Sequence, residues 1–239
     1  MITNLTIVIP AKNEEANISN LLADLSIQEG IEDIKIYLAD AKSTDNTVMV
    51  AKYLAEAHGL DLEVIPGGLP AHGRNAGARK ADTRYVLFLD SDIRITDTSL
   101  IAECLALAES KDAWLVTTNT FCDSDSKKSR FVYWLSSQMQ VVSKYVWKPF
   151  STGMFMLVNR NAFINYGMFD EDVTFCEDYL FSVKIPRKRF NILKDSAIYT
   201  SDRRLKKEGH FGMIWLSLKT TASEVVGYDK FFHKNHNYW

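Results

Sequence analysis

The sequence predicts an α/β fold: a Rossmann-like, mainly parallel central sheet flanked by helices, followed by a C-terminal helical extension. Three observations carry this expectation. Short apolar runs rich in β-branched residues recur at 5–10, 34–39, 62–65 and 85–89, and they are continuous rather than alternating, as in strands buried on both faces. Helical stretches separate the runs, which is the pattern of βαβ units. With 239 residues, 46% of them hydrophobic and 24% charged, the chain has enough apolar material for one compact core.

Each element follows from local chemistry. Pro10 ends the first strand, and Ile18, Leu21, Leu22 and Leu25 recur at i, i+3, i+4 and i+7, so a helix follows, with Asn13, Glu14 and Glu15 where caps and the helix dipole favour them. The second strand leads through the turn DAKSTDNT into a helix reaching His58, with Gly59 placed to close it; Ser43, Thr44 and Asp45 read as its capping chemistry. After the third strand and the loop PGGLPAHG comes a short helix around 75–81, then the strand 85–89, which runs into Asp90-Ser91-Asp92. Beyond it the pattern predicts a helix at 99–110, a strand at 114–118, a long helix at 129–145 and a strand at 154–158. We expect one domain over 1–201 and a lid segment with an amphipathic helix and tail over 202–239.

Bulk properties exclude some function classes. A net charge of −2 gives no global field that favours nucleic acid. Cys104, Cys122 and Cys176 are odd in number and far apart, which argues against a disulfide framework or a zinc site and for a reducing, cytoplasmic compartment. The N-terminal apolar run is too short for a signal peptide, and no stretch is long enough to span a bilayer.

Asp90 and Asp92 are the first chemical signal. In an extended segment residues i and i+2 point the same way, so the two carboxylates converge while the Ser91 side chain faces away. Two like charges directly after an apolar strand repel and are desolvated unless a cation or donors compensate them. A hard divalent ion, Mn²⁺ or Mg²⁺, that also takes phosphate oxygens meets that need; an acidic turn capping the next helix is the alternative. Position adds weight, because ligands of open α/β sheets bind beyond the carboxyl ends of the strands, and three such ends are polar here: 10–15, 40–45 and 90–92. Asp40 precedes the capping residues and could accept hydrogen bonds from a nucleobase edge.

These residues also carry a family resemblance. The stretches VIPAKNEEANI, LADAKSTDNT, GRNAGARKADTRYVLFLDSDI, STGMFMLVNRNAFINYGMFDE and CEDYLFSVKI occur in the order and spacing seen in family-two glycosyltransferases, which are inverting enzymes of the GT-A fold. The resemblance covers roughly 5–193. It implies a nucleotide-sugar donor cradled by Pro10, Ala11, Asn13, Glu15 and Asp40, with Asp40 toward the base and Ser91 counted among the donor-site residues. It implies that Arg74 lies near base and diphosphate, that Asp90 approaches the metal and Asp92 is its main ligand, and that Gly153 leaves room for sugar and acceptor. Glu177 and Asp178 are neighbours that cannot share a helix face. The resemblance assigns catalysis to Asp178, which would take the proton of the acceptor hydroxyl, and leaves Glu177 to orient the acceptor or cap the helix. UDP is the nucleotide the family most often uses, then GDP, and the acceptor is a glycan or lipid-linked hydroxyl. Departures are Asp40-Ala41-Lys42, where many members carry two acids and a glycine, and Pro186 and Arg189 after the acidic pair.

The basic segment from Arg203 and Arg204 to His210 reads as a lid. By resemblance it brings Arg203 and Arg204 to the diphosphate and makes His210 a candidate third metal ligand, with plain exposure as the alternative. Phe211, Ile214, Trp215, Leu218, Ala222 and Val225 then form one apolar helix stripe, to be covered by the domain, a homodimer partner or the inner face of a membrane. A sugar-1-phosphate nucleotidyltransferase and an inactive nucleotide-binding protein are the rival readings; the first loop, PAKNEE, lacks the glycines the former needs.

Overall fold

The computed structural model describes residues 4–146, 148–173 and 176–208. One sheet of eight strands runs in the order β3-β2-β1-β4-β7-β6-β8-β5. Its parallel half is the one the sequence predicts: β1 (Leu5–Ala11), β2 (Lys35–Asp40), β3 (Leu62–Pro66) and β4 (Tyr85–Leu89). All seven residues of β1 are buried, because β1 lies between β2 and β4 and has helices on both faces. Alternation then sorts side chains by face. Ile7, Ile9, Leu87 and Leu89 meet α1 (Glu15–Ser26), α2 (Thr47–His58) and α4 (Leu100–Ser110), while Val8, Val86 and Phe88 face α3 (Pro70–Lys80).

Local signals work as expected at several points. Ile18, Leu21, Leu22 and Leu25 form the buried stripe of α1. Gly59 closes α2 in the left-handed conformation at φ 68°, its N–H bonding back to Ala55 and Glu56 carbonyls. The third helix starts five residues earlier than the sequence suggests, with Pro70 in its first turn.

The other half of the sheet is mixed. β7 (Phe155–Asn159) runs antiparallel to β4 and β6 (Leu115–Cys122), and β8 (Phe190–Thr200) runs parallel to β6. A short β5 (Ile93–Arg94) pairs antiparallel with β8. The sequence reading missed β8. Its register against β6 jumps from Thr118↔Leu193 to Asn119↔Ala197, so Lys194, Asp195 and Ser196 bulge out, and these polar residues break the apolar run.

The long α5 (Lys127–Val146) is unusual in turning polar residues inward: Ser129, Tyr133, Ser137, Gln140 and Ser143 are its buried positions. The cause is β6, which pairs with β7 only at Leu115 and Val116. Farther along, Gln140 Nε2 donates to the Thr118 carbonyl (3.0 Å) and the Thr120 N–H donates to Ser137 Oγ (3.3 Å), so the helix satisfies backbone groups that a strand would otherwise take. Past Ser201, where the sequence suggests an appendage, α8 (Arg203–Glu208) follows, and Leu205 is fully buried in the same core as β1 and α4. His210 and the apolar stripe from Phe211 to Val225 lie outside the described residues. Among the described residues no helix is long and apolar enough to cross a membrane.

Candidate active site

The carboxyl ends of β1, β2 and β4 adjoin, and two loops above them are sewn together. Asn13, held at φ 54°, donates its N–H to Ser43 Oγ (2.9 Å) and accepts from the Thr44 N–H (2.8 Å). The Glu14 N–H donates to Thr47 Oγ1 (2.8 Å), the Glu15 N–H to Asp45 (3.2 Å), and Glu15 accepts from the Asn46 N–H (3.1 Å). The side chains of Asn13 and Glu15, expected on the nucleotide, thus join the two loops. Pro10 and Ala11 are buried in β1 beside Ala39 and Asp40. Asp40 ends β2 and accepts from the Ser43 N–H (3.1 Å).

The third helix brings Arg74 to the same edge. It lies unusually close to the sheet, because a β-carbon on Gly77 would fall 2.4 Å from Val8 Cγ1. That approach sinks Arg74 to 2% exposure, where its two terminal nitrogens donate to Asp90 and to Glu177. The guanidinium also sits 5.6 Å from the Phe169 ring centroid. Arg74 is therefore committed to two carboxylates rather than turned outward, whereas Arg79 makes the surface pair expected of it, with Glu171.

The acidic residues arrive from two directions. Asp90 follows β4, with its N–H bonded to the Met154 carbonyl (3.1 Å), Ser91 is buried, and Asp92 is part-exposed. Glu177 and Asp178 open α7 (Glu177–Ser182). An aromatic cluster anchors that helix: the Phe181 ring lies 4.9 Å from Phe163 and 5.4 Å from Phe169, and both of those rings pack on Phe88 of β4. Asn75 clamps Phe169 from α3, donating to its carbonyl (2.8 Å) and accepting its N–H (3.2 Å). The Asp178 carboxyl accepts from the Tyr179 N–H (2.8 Å) and fills the space that Gly153 leaves, for a β-carbon there would lie 2.2 Å from Asp178 Oδ2. The space left by the missing Gly153 side chain is thus taken by the Asp178 carboxyl.

Electrostatics separate the carboxylates. Burial, then the charges of Glu177 and Asp90, push Asp178 up to about 7, with Arg74 opposing. Asp92 is pushed up to about 6 by burial and by the negative charges of Asp90 and Glu14, with Arg203 opposing. Arg203 reaches in from α8, donating to Glu14 (2.7 Å) and Asp92 (3.3 Å). Glu14, 8% exposed and expected to cap the helix, makes no side-chain cap bond. Its part-buried pairing with Arg203 instead draws it into this group of charges. The Arg204 side chain lies outside the described residues.

Among the described residues no group of three His, Cys, Asp or Glu side chains is set to hold a metal ion. The acidic residues nevertheless fit a hard divalent ion that brings other ligands with it: burial, then the charges of Asp90 and Glu14, raise the pKa of Asp92, and a cation beside it would offset both.

Comparison with known proteins gives this geometry a context. The profile of Glycosyl transferase family 2 matches residues 6–167. The poly(ribitol-phosphate) beta-N-acetylglucosaminyltransferase TarS of Staphylococcus aureus (strain Mu50 / ATCC 700699) is 26% identical over 208 residues, covering 83% of this chain and 35% of the relative. The chain thus spans about a third of the length of the curated relatives it matches. Among solved structures, S. aureus TarS 1-349 in complex with UDP-GlcNAc superposes with a TM-score of 0.65 at 21% identity, over 84% of this chain and 59% of that one. The mannosyltransferase PcManGT from Pyrobaculum calidifontis in complex with GDP-Man and Mn²⁺ gives 0.67 at 19% identity, over 83% and 56%. The sheet is that of the GT-A glycosyltransferases, and the profile covers well over half of the residues, so the chain belongs to glycosyl transferase family 2.

Proposed function

We propose that the chain transfers a sugar from a nucleoside diphosphate sugar to an acceptor hydroxyl, inverting the anomeric carbon. One observation carries the reading: Arg74 ties Asp90, at the end of β4, to Glu177, next to Asp178, so the acidic groups expected to serve the donor and the acceptor meet at one point. Asp178 is the general base, and a carboxyl titrating near 7 suits proton abstraction at neutral pH. Arg74 holds the acidic groups in register, and Arg203 faces the leaving diphosphate across Asp92. Asp90 and Asp92 would hold Mn²⁺ or Mg²⁺, which when bound would supply positive charge for the departing diphosphate. The stitched loops at Asn13 and Asp40 form the nucleotide platform, and UDP is favoured over GDP; the neighbours bound to UDP-GlcNAc and to GDP-Man support both. The segment after α8, with Arg204 and His210, is proposed to close over the donor.

A thermal-shift panel of UDP- and GDP-sugars, each with and without Mn²⁺, tests the donor class. At a ligand concentration about a hundred times Kd, binding adds about 2.7 kcal/mol to stability. A Mn²⁺-dependent rise in Tm with one nucleotide class is expected. No shift with any nucleotide sugar would contradict the proposal.

A further inference from the structure

The outer face of α5 is apolar where a surface helix is ordinarily polar. Phe131, Trp134, Leu135, Met139, Val142 and Tyr145 are all exposed, and their spacing of three and four residues places them on one side of the helix. From Phe131 to Val146 the stripe is about 24 Å long at the helical rise. Its polar inner face is already used by β6, so the helix cannot roll over to hide the stripe without breaking the bonds of Ser137 and Gln140.

Cations frame both ends. Between residues 126 and 150 the chain has five Lys or Arg and no Asp or Glu, and between 183 and 194 it again has five and none. Lys127, Lys128 and Arg130 are exposed at the start of the helix, where they outnumber the exposed Asp123 and Asp125 beside them. At the other end Lys194 Nζ lies 5.4 Å from the Tyr145 ring centroid, and Arg187 donates to the Tyr145 carbonyl (3.3 Å). In a chain with net charge −2 this concentration is local.

We propose that this face of α5 docks on a lipid surface bearing anionic headgroups. Aromatic and aliphatic side chains enter the interface, and the flanking Lys and Arg meet the headgroups. Charge selects this occupant over the two others the chain could supply. A second copy packed symmetrically on the stripe would set cation-rich rims against each other. Beyond α8, residues 209–239 carry three Lys against two Asp or Glu, so they bring no net negative charge to meet a positive rim. The start of α5 adjoins the site, since Ser124, just before it, donates to Asp202 (2.6 Å), next to Arg203. If the function proposed above holds, docking would bring a lipid-borne acceptor hydroxyl near that edge; the docking itself does not depend on it.

The test is flotation of the full chain with vesicles of phosphatidylcholine alone and with about 30% phosphatidylglycerol. Wild type and the double variant Trp134→Glu, Met139→Glu are compared, with size-exclusion chromatography, a thermal melt and nucleotide binding alongside. Both substitutions are on exposed positions, so the melt and nucleotide binding stay at wild-type values, which separates failure here from failure of the proposed function. The expected result is flotation with the anionic vesicles only, reduced about tenfold or more in the variant. Equal flotation of both proteins would place the contact elsewhere and overturn the proposal. So would equal flotation on neutral vesicles, or no flotation at all, including the case in which the variant merely turns a dimer into a monomer.

Discussion

Gly153 and Asp178 share one space: Gly153 stands at φ 81°, and its missing side chain is where Asp178 Oδ2 sits. The site thus depends on a glycine for two reasons, a left-handed backbone that suits few other residues and a carboxylate that would collide with any β-carbon. Gly153→Ala should displace Asp178 and lower transfer by about tenfold or more while leaving donor affinity within about twofold, since only the acceptor-side carboxyl moves. Steady-state kinetics with donor titration calorimetry would show this as a fall in kcat. Wild-type kcat would remove Gly153 from the catalytic geometry.

Arg74→Met should be among the most destabilising single changes in the chain. It strands Glu177, 4% exposed, and part-exposed Asp90 without their shared cation, and breaking a buried pair costs about 3–5 kcal/mol. Urea denaturation at neutral pH measures the loss. A loss below about 1 kcal/mol would mean that Arg74 is not needed to hold the two carboxylates.

Asp92 predicts a pH signature of its own. Its folded pKa, about 6, lies above its ordinary value of 3.8, so the folded state holds a proton that the unfolded state has lost. Stability from this group is therefore present at low pH and is lost as pH rises from about 4 to about 6. Asp92→Asn should flatten that part of the Tm–pH profile and raise Tm above pH 6. It should also abolish Mn²⁺-assisted nucleotide binding, read by calorimetry. An unchanged Tm–pH profile would contradict the electrostatic account, and unchanged Mn²⁺ dependence the metal site.

Arg203 is largely exposed and pairs with Glu14 and Asp92. Because Glu14 is buried, this pair is worth more than a fully exposed one. Arg203→Ala should therefore lower Tm modestly and weaken donor diphosphate binding by about tenfold, the scale of one lost charge-assisted contact. Equal donor affinity in wild type and variant would confine Arg203 to fastening α8.

The parallel half of the sheet was legible in the sequence because each of its strands is a continuous apolar run and each helix has a clean stripe, as in α1. The rest was not, for physical reasons visible at particular residues. The eighth strand hides behind Lys194-Asp195-Ser196, whose side chains answer to a bulge rather than to the core. The long α5 was placed correctly, but its orientation was not readable: its polar inner face exists to satisfy Thr118 and Thr120, and nothing local in the sequence announces a strand that has lost its neighbour. In the site, Asp90, Asp92 and Asp178 stood out through spacing and resemblance. Glu14 did not, because its partner Arg203 is 189 residues away. Arg74 was legible as a site residue but not as the bridge between two carboxylates, and Gly153 was legible as a necessary glycine but not as the space for Asp178.

The central claim is that Asp178 is the base in sugar transfer, and a pH–rate profile of wild type beside Asp178→Asn tests it most directly. With the folded pKa near 7, log kcat/KM of the wild type should rise with pH up to about 7 and then level, because the base acts only when ionised. Asp178→Asn should bind the donor with wild-type affinity, lose transfer by about a hundredfold or more, and show no inflection near 7. A variant that transfers sugar at the wild-type rate, or that keeps the inflection, would contradict the account.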